Sequence, residues 1–216
     1  MKRIPLLAAL LASALLAAVA FGATSASATV LCKKSPSNHL CGNENLYPAG
    51  TKIHTELAPN TTFRFAVVNG TSVLQCKTST LDLTTDNSGN NYLEEEILAN
   101  TSNEGYTFGG CYEPVHASAA RYNISWYRGT HAGRVWQETT FEMSTEFFNH
   151  WGYNAPCYYK QHGPTYPAMF GETQQIVYNK VPYYAAYGSH WSCPPELLLS
   201  GTYNIISPSP LYVETF

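Results

Sequence analysis

Charge is scarce in this sequence. Asp, Glu, Lys and Arg make up 12% of the 216 residues, about half the quarter that soluble domains commonly carry. Only two aspartates occur, Asp82 and Asp86, both in one strand–turn stretch. A Ser–His–Asp triad is therefore hard to assemble. No Gly-x-Ser-x-Gly elbow exists, and Gly188-Ser189-His190 lacks the strand-to-helix context of that motif. The 15 acidic residues outnumber the 12 basic ones and no basic patch stands out, which excludes a typical nucleic-acid binder. No phosphate-cradling glycine loop or dinucleotide fingerprint is present, so no cofactor is expected. Paired C-x-x-C motifs are missing too. His190 with Cys193 and His39 with Cys41 are isolated pairs, and no metal site is expected from them. The 28 Gly and Pro residues are too few and scattered for collagen or a low-complexity linker.

Long apolar runs are confined to the N-terminus. Lys2 and Arg3 precede an almost uniformly apolar stretch from Ile4 to Phe21, and Ala26-Ser27-Ala28 supplies small residues at the −3 and −1 positions of a cleavage site. This reads as an export signal over residues 1–28. An uncleaved anchor fits less well, because Ala, Pro5 and Ser13 weaken the run. A lipid-anchored Cys32 is disfavoured by the bulky Leu31 before it. Cleavage after Ala28 would leave 188 residues with 15 carboxylates and 10 basic side chains, a formal charge of −5. The expectation is a secreted, extracellular single domain over 29–216, with no membrane span after cleavage and a surface large enough to enclose one core.

All six cysteines lie beyond that site: Cys32, Cys41, Cys76, Cys111, Cys157 and Cys193. An even count in an exported chain implies three disulfides, for which 15 pairings exist. Local loop closure favours Cys32–Cys41, and chain order then suggests Cys76–Cys111 and Cys157–Cys193.

From Thr51 onward the apolar period is two. Ile53, Thr55 and Leu57 alternate with Lys52, His54 and Glu56; Phe63, Phe65 and Val67 alternate with Thr62, Arg64 and Ala66. Asn69-Gly70 between Val67-Val68 and Val73-Leu74 is a strong hairpin signal. Leu81 and Leu83 flank Asp82 before a turn-rich run at 86–91. Further strands are predicted over Tyr122–Arg128, Arg134–Phe147, Gln175–Val181, Gly201–Ser207 and Leu211–Thr215, nine or ten in all. That pattern predicts an all-β fold, an antiparallel two-sheet sandwich of jelly-roll type braced by disulfides, with a barrel as the alternative. Short helices are considered near Leu93–Ala99 and Thr145–His150.

Several segments carry a resemblance: Leu31-Cys32 with Cys41, the run Tyr47-Pro48-Ala49-Gly50-Thr51-Lys52-Ile53, Leu74-Gln75-Cys76, Gly110-Cys111, Cys193-Pro194, and the closing stretch from Tyr203 to Val213. Together they resemble a family of secreted β-rich proteins from soil actinobacteria, over roughly the first and last thirds of the mature chain. That family has no assigned activity, so the resemblance implies export, disulfides and a β-rich fold. The region from Tyr112 to Trp191 departs from it, being rich in aromatics where the family is rich in Ser, Thr and Gly.

Residue spacing limits the catalytic chemistry open to the chain. Glu138, Glu142 and Glu146 share a face. In a strand, residues four apart lie about 13 Å from one another, beyond the ~5–9.5 Å of glycosidase carboxylates. In a helix they would come close enough, but the β-branched Thr139 and Thr140 favour the strand, where a glycoside hydrolase needs partners on neighbouring strands. Glu94-Glu95-Glu96 lacks the spaced oxygens of a calcium loop and reads as a solvated cluster. Four Asn-x-Ser/Thr patterns, at Asn60, Asn69, Asn100 and Asn123, read as turn and strand residues.

The most unusual feature is aromatic. Eleven Trp, Tyr and Phe residues lie from Trp151 to Trp191. Packing is one reading. The other is a surface of rigid rings that stack on a ligand. Tyr158-Tyr159 and Tyr183-Tyr184 are adjacent, so in a strand one ring of each pair must face outward. The expectation is an exported surface or interaction protein rather than an enzyme, or alternatively a module that binds an extracellular glycan or peptide. Trp151, Tyr153, Tyr184, Tyr187 and Trp191 are the candidate contacts, with Asn154 and His190 at their rim.

Overall fold

The computed structural model describes residues 29–85, 96–100, 106–112, 114–118, 121–127, 129–137, 139–144, 156–162 and 166–215. The expected export signal, the helix considered at Thr145–His150, and Glu138, Glu146, Trp151, Tyr153 and Asn154 lie outside them.

The chain is all-β. In order the strands are β1 (Thr29–Cys32), β2 (Lys52–Leu57), β3 (Phe63–Val67), β4 (Ser72–Cys76), β5 (Thr78–Thr84), β6 (Glu96–Asn100), β7 (Tyr106–Gly109) and β8 (Val115–Ala117). There follow β9 (Arg121–Trp126), β10 (Ala132–Gln137), β11 (Thr140–Ser144), β12 (Pro156–Gln161), β13 (Ala168–Phe170), β14 (Gln175–Ala185), β15 (Glu196–Ser207) and β16 (Tyr212–Thr215). One 3-10 turn at Asn43–Asn45 is the helical element among the described residues, and none of their helices is long and apolar enough to cross a membrane.

Two long strands organise the molecule. β14 and β15 pair along their length, and each serves two layers. In one layer the order is β6-β9-β10-β13-β14-β15-β2-β5-β7; in the other, β8-β11-β12 continues from the far half of β14, and β3-β4 from the near half of β15. All pairings within this sheet are antiparallel, as period-two alternation over short segments predicts. The crossing point is marked in sequence. A register shift falls between Tyr178 and Val181, Lys180 has φ 52°, and Pro182 follows. Proline lacks an N–H, and Pro182 sits between the stretch of β14 that pairs with β13 and the stretch that pairs with β12. The missing donor therefore costs no ladder bond there. The extra residues also reset the alternation, so that Ile176, Tyr178, Val181 and Tyr183 all face inward.

The space between the layers is filled by rings. Phe63 lies 5.3–5.9 Å, centroid to centroid, from Phe65, Tyr106, Phe108, Tyr178 and Tyr203, and 6.4 Å from Phe141. These rings come from both layers, which close toward one another where β7 approaches β8, while β6 approaches β5 and nearly closes the first layer on itself. The result is a sandwich with one nearly closed, barrel-like sheet. Gly201 on β15 makes the packing feasible: a Cβ there would stand 2.6 Å from Cδ2 of Phe63. Buried phenols keep their hydroxyls partnered where they can. Tyr203 bonds Ser79 Oγ at 2.7 Å, Tyr122 bonds Thr139 Oγ1 at 3.1 Å, and Tyr106 bonds Tyr178.

The disulfides pair as chain order suggests: Cys32–Cys41, Cys76–Cys111 and Cys157–Cys193. Two expectations need correction. Over its described residues, 96–99, the helix considered at Leu93–Ala99 gives way to strand β6, in which Ile97 and Leu98 pair with Ile124 and Asn123 of β9. Backbone pairing outweighs weak local propensity there. The predicted Arg134–Phe147 strand is two strands, β10 and β11, which join different neighbours.

A separate ribbon of β1 and β16 lies over β9, β10 and β13. Val30 and Leu31 of β1 and Val213 of β16 are fully buried, so the ribbon is covered on both faces.

Candidate functional site

Two places combine chemistry with exposure or burial that packing alone does not require. The first is the connection from β14 to β15, residues 186–195. Among the five aromatic candidates, Tyr184, Tyr187 and Trp191 fall on described residues. Tyr184 is 37% exposed, Trp191 is 87% exposed and Tyr187 is fully exposed. Alternation explains Tyr184: its neighbour Tyr183 is buried against Phe141, so Tyr184 points out, where its ring meets His162. Tyr158 and Tyr159 divide in the same way, Tyr159 being buried.

The connection is braced along its length. Cys193 is tied to Cys157 on β12. The Ser189 hydroxyl donates to the Tyr158 carbonyl and accepts the Tyr158 amide, each at 2.9 Å. Ala186 N–H donates to the same carbonyl at 2.7 Å, and His190 N–H donates to the Pro156 carbonyl at 3.2 Å. His190 Nδ1 meets Ser192 Oγ at 2.7 Å, and its ring lies 5.2 Å from that of Trp191. Among the described residues no ring–ring contact joins Tyr184, Tyr187 and Trp191; they project separately from one short, uncharged segment. Of the eleven aromatics, Tyr159, Tyr178 and Tyr183 are core, so packing accounts for part of the enrichment and exposure for another part.

The second place was not legible from spacing. Glu214 on β16 is fully buried. His131 Nδ1 hydrogen-bonds its Oε1, and His39 Nδ1 lies 3.3 Å from its Oε2. The three side chains come from a loop, the bend before β10 and the final strand. Each is held for its own reason. Val213 packs toward Gly133, where a Cβ would stand 2.8 Å from Val213 Cγ1. Glycine at 133 thus lets the ribbon settle onto β10, and Glu214, next along the strand, faces the other way. The loop carrying His39 is closed by Cys32–Cys41 and stitched to β16: Thr215 N–H and Oγ1 both donate to the His39 carbonyl, at 3.0 and 2.7 Å. His39 itself has φ 59°, a left-handed conformation uncommon for a side-chain-bearing residue. The His131 carbonyl accepts from Gly171 N–H at 3.0 Å. The two imidazoles lie 4.6 Å apart.

Burial pushes the Glu214 carboxyl above its ordinary range, and the hydrogen bonds from His131 and His39 pull it partway back. Beside the cluster opens a cavity of about 410 Å³, lined by His39, His131, Phe170, Gly171 and Glu172 among others. The isolated His39–Cys41 pair of the sequence resolves differently from a thiolate site. Cys41 is in a disulfide, and His39 turns to His131 and Glu214.

The hydrolase alternative gains no support from Glu142, which is exposed on β11 in register with His116 and Tyr158. No known protein family, curated protein or solved structure matches the chain.

Proposed function

We propose that this is an exported, disulfide-braced interaction protein that engages an extracellular carbohydrate through the aromatic connection between β14 and β15. The observation that carries this reading is the presentation of Tyr187 and Trp191 to water on a segment fixed by a disulfide and by the Ser189 and His190 hydrogen bonds. Large rings lose little entropy on binding, and a pinned backbone lowers the ordering cost further. Residues 184–192 carry no formal charge, which suits the apolar face of a neutral sugar better than a charged peptide. Three disulfides fit an oxidising, extracellular setting.

A glycan array probed with the purified protein tests the proposal, with a peptide library run alongside. Binding to neutral glycans that falls at least about tenfold in Trp191→Ala and Tyr187→Ala, matching roughly 1.4 kcal/mol, supports it. Because both rings are exposed, neither substitution should lower the melting temperature appreciably. Peptide binding through the same rings would redirect the ligand class. Glycan binding unchanged in both variants, or no binding at all, would remove the reading.

A further inference from the structure

We propose that His39, His131 and Glu214 form a binding site for a divalent transition-metal ion of the zinc class, its open coordination face turned to the cavity beside His131. The site is independent of the aromatic connection and of any ligand bound there.

The donor set fits. Two imidazoles and one carboxylate suit zinc and its borderline neighbours, and three protein ligands leave a position for water or an exchangeable ligand. One ligand atom from each residue lies within 4.8 Å of the others. Two donors at ordinary zinc distances on a tetrahedral ion stand about 3.3 Å apart, and His39 Nδ1 and Glu214 Oε2 are separated by 3.3 Å. The group is therefore nearly gathered around an ion's position, and small side-chain rotations would open room for it.

The surroundings fit as well. Ser35 Oγ lies 3.0 Å from His131 Nε2 and 3.2 Å from Nδ1. When Nδ1 ligates, Nε2–H can donate to that hydroxyl, the kind of outer contact that fixes the tautomer of a ligating histidine. His39 is positioned by a disulfide-closed loop and by Thr215. Among the described residues, the ion-pair partners of Glu214 are the two histidines. Burying a carboxylate is costly without a compensating charge, and a dication supplies one. The cavity that meets His39 and His131 provides an entry path and room for a small ligand on the ion, and Glu172 on its wall adds a second carboxylate.

The test uses the full disulfide-bonded protein without an affinity tag, stripped with chelator and titrated with Zn²⁺ by calorimetry. One equivalent should bind, with affinity falling at least about tenfold in Glu214→Gln and in His131→Ala. Ser35→Ala should cost about tenfold, in the ordinary range for losing the group that orients a ligating imidazole. Imidazole NMR on the unaltered protein keeps the test decisive if a variant folds poorly. Zn²⁺ should shift the His39 and His131 resonances in preference to those of His54, His116, His162 and His190. Replacing Zn²⁺ with Co²⁺ should give visible bands that move when azide is added, reporting the open position. Absence of stoichiometric binding, full affinity in Glu214→Gln, or NMR shifts confined to other histidines would overturn the proposal.

Discussion

Substituting Gly201 by alanine puts the packing of the two layers to a test of sign. The residue lies on β15 in register with Tyr178, between the fully buried Leu199 and Tyr203. Its φ lies outside the left-handed region, so alanine meets no backbone obstacle. On propensity alone, removing glycine from a strand interior should stabilise by about 0.5–1 kcal/mol. The structure predicts the reverse. An added Cβ would stand 2.6 Å from Phe63 Cδ2 and 3.5 Å from Phe63 Cα, whereas carbon atoms rest about 3.5–4.0 Å apart. The ring must therefore retreat by about 1 Å. It has nowhere to go, because five other rings stand within 5.9 Å of it, centroid to centroid. Overpacking of this kind costs about 1–3 kcal/mol. Offset by the propensity gain, Gly201→Ala should lose about 1–2 kcal/mol. For a domain of this size that is a melting temperature lower by roughly 2–8 °C. Urea unfolding with disulfides intact should show a lower midpoint at unchanged slope. Adding Phe63→Leu should shrink the penalty of the alanine by at least about 1 kcal/mol, a coupling expected only of groups in contact. A Gly201→Ala protein as stable as the parent, or more so, would refute the close approach of β15 to Phe63.

Two further outcomes follow from buried and paired polar groups. Tyr183 has no partner for its buried hydroxyl among the described residues, so Tyr183→Phe should leave stability unchanged or raise it by up to ~1 kcal/mol. Tyr203→Phe should lower it by about 1 kcal/mol, since it deprives Ser79 of a donor; equal losses in the two variants by urea unfolding would contradict the hydroxyl assignments. His54 on β2 lies 2.5 Å from Asp82 and 3.2 Å from Glu56, and these hydrogen bonds, Asp82 first, raise its pKa above the ordinary 6.5. A raised histidine pKa adds stability that is fully present below the unfolded value and fades as pH rises through the folded one. His54→Asn should therefore lower the melting temperature more at pH 5.5 than at pH 8.5, and an equal loss at both would show that the pair carries no charge-dependent stability.

Local information in the chain decided a good deal of this protein. Ile53, Thr55 and the Phe63–Phe65 pair announce their buried faces by alternation, because a strand turns successive side chains to opposite sides. The Asn69-Gly70 hairpin joins β3 to β4, with Gly70 at the positive φ that such turns require. The sequential pairing that cysteine order suggests, one of 15 possible, is the one the structure shows. The adjacent tyrosines at 158–159 and 183–184 revealed that one ring of each pair must leave the core. The shortest strands leave no such trace. β8 and β13 have three residues each, too few to display a period, and the sequence around β6 is compatible with a short helix as well as with the strand that pairs with β9.

What only the tertiary structure decided depends on distance along the chain. The bend at Lys180–Pro182 is visible locally, but that it hands β14 from one layer to the other follows from which strands dock on each side. Glu214 reads in sequence as one more acidic residue near a terminus, and His39 and His131 as two of seven histidines. Positions 83 and 175 residues apart along the chain share no periodicity and no motif. They meet because a disulfide closes the loop before β2, Gly133 lets the ribbon lie flat on β10, and Thr215 ties His39 to the final strand. Periodicity records which face a residue turns inward; it carries no record of which distant residue waits on that face, and the cluster exists only once long-range strand packing has brought the three together.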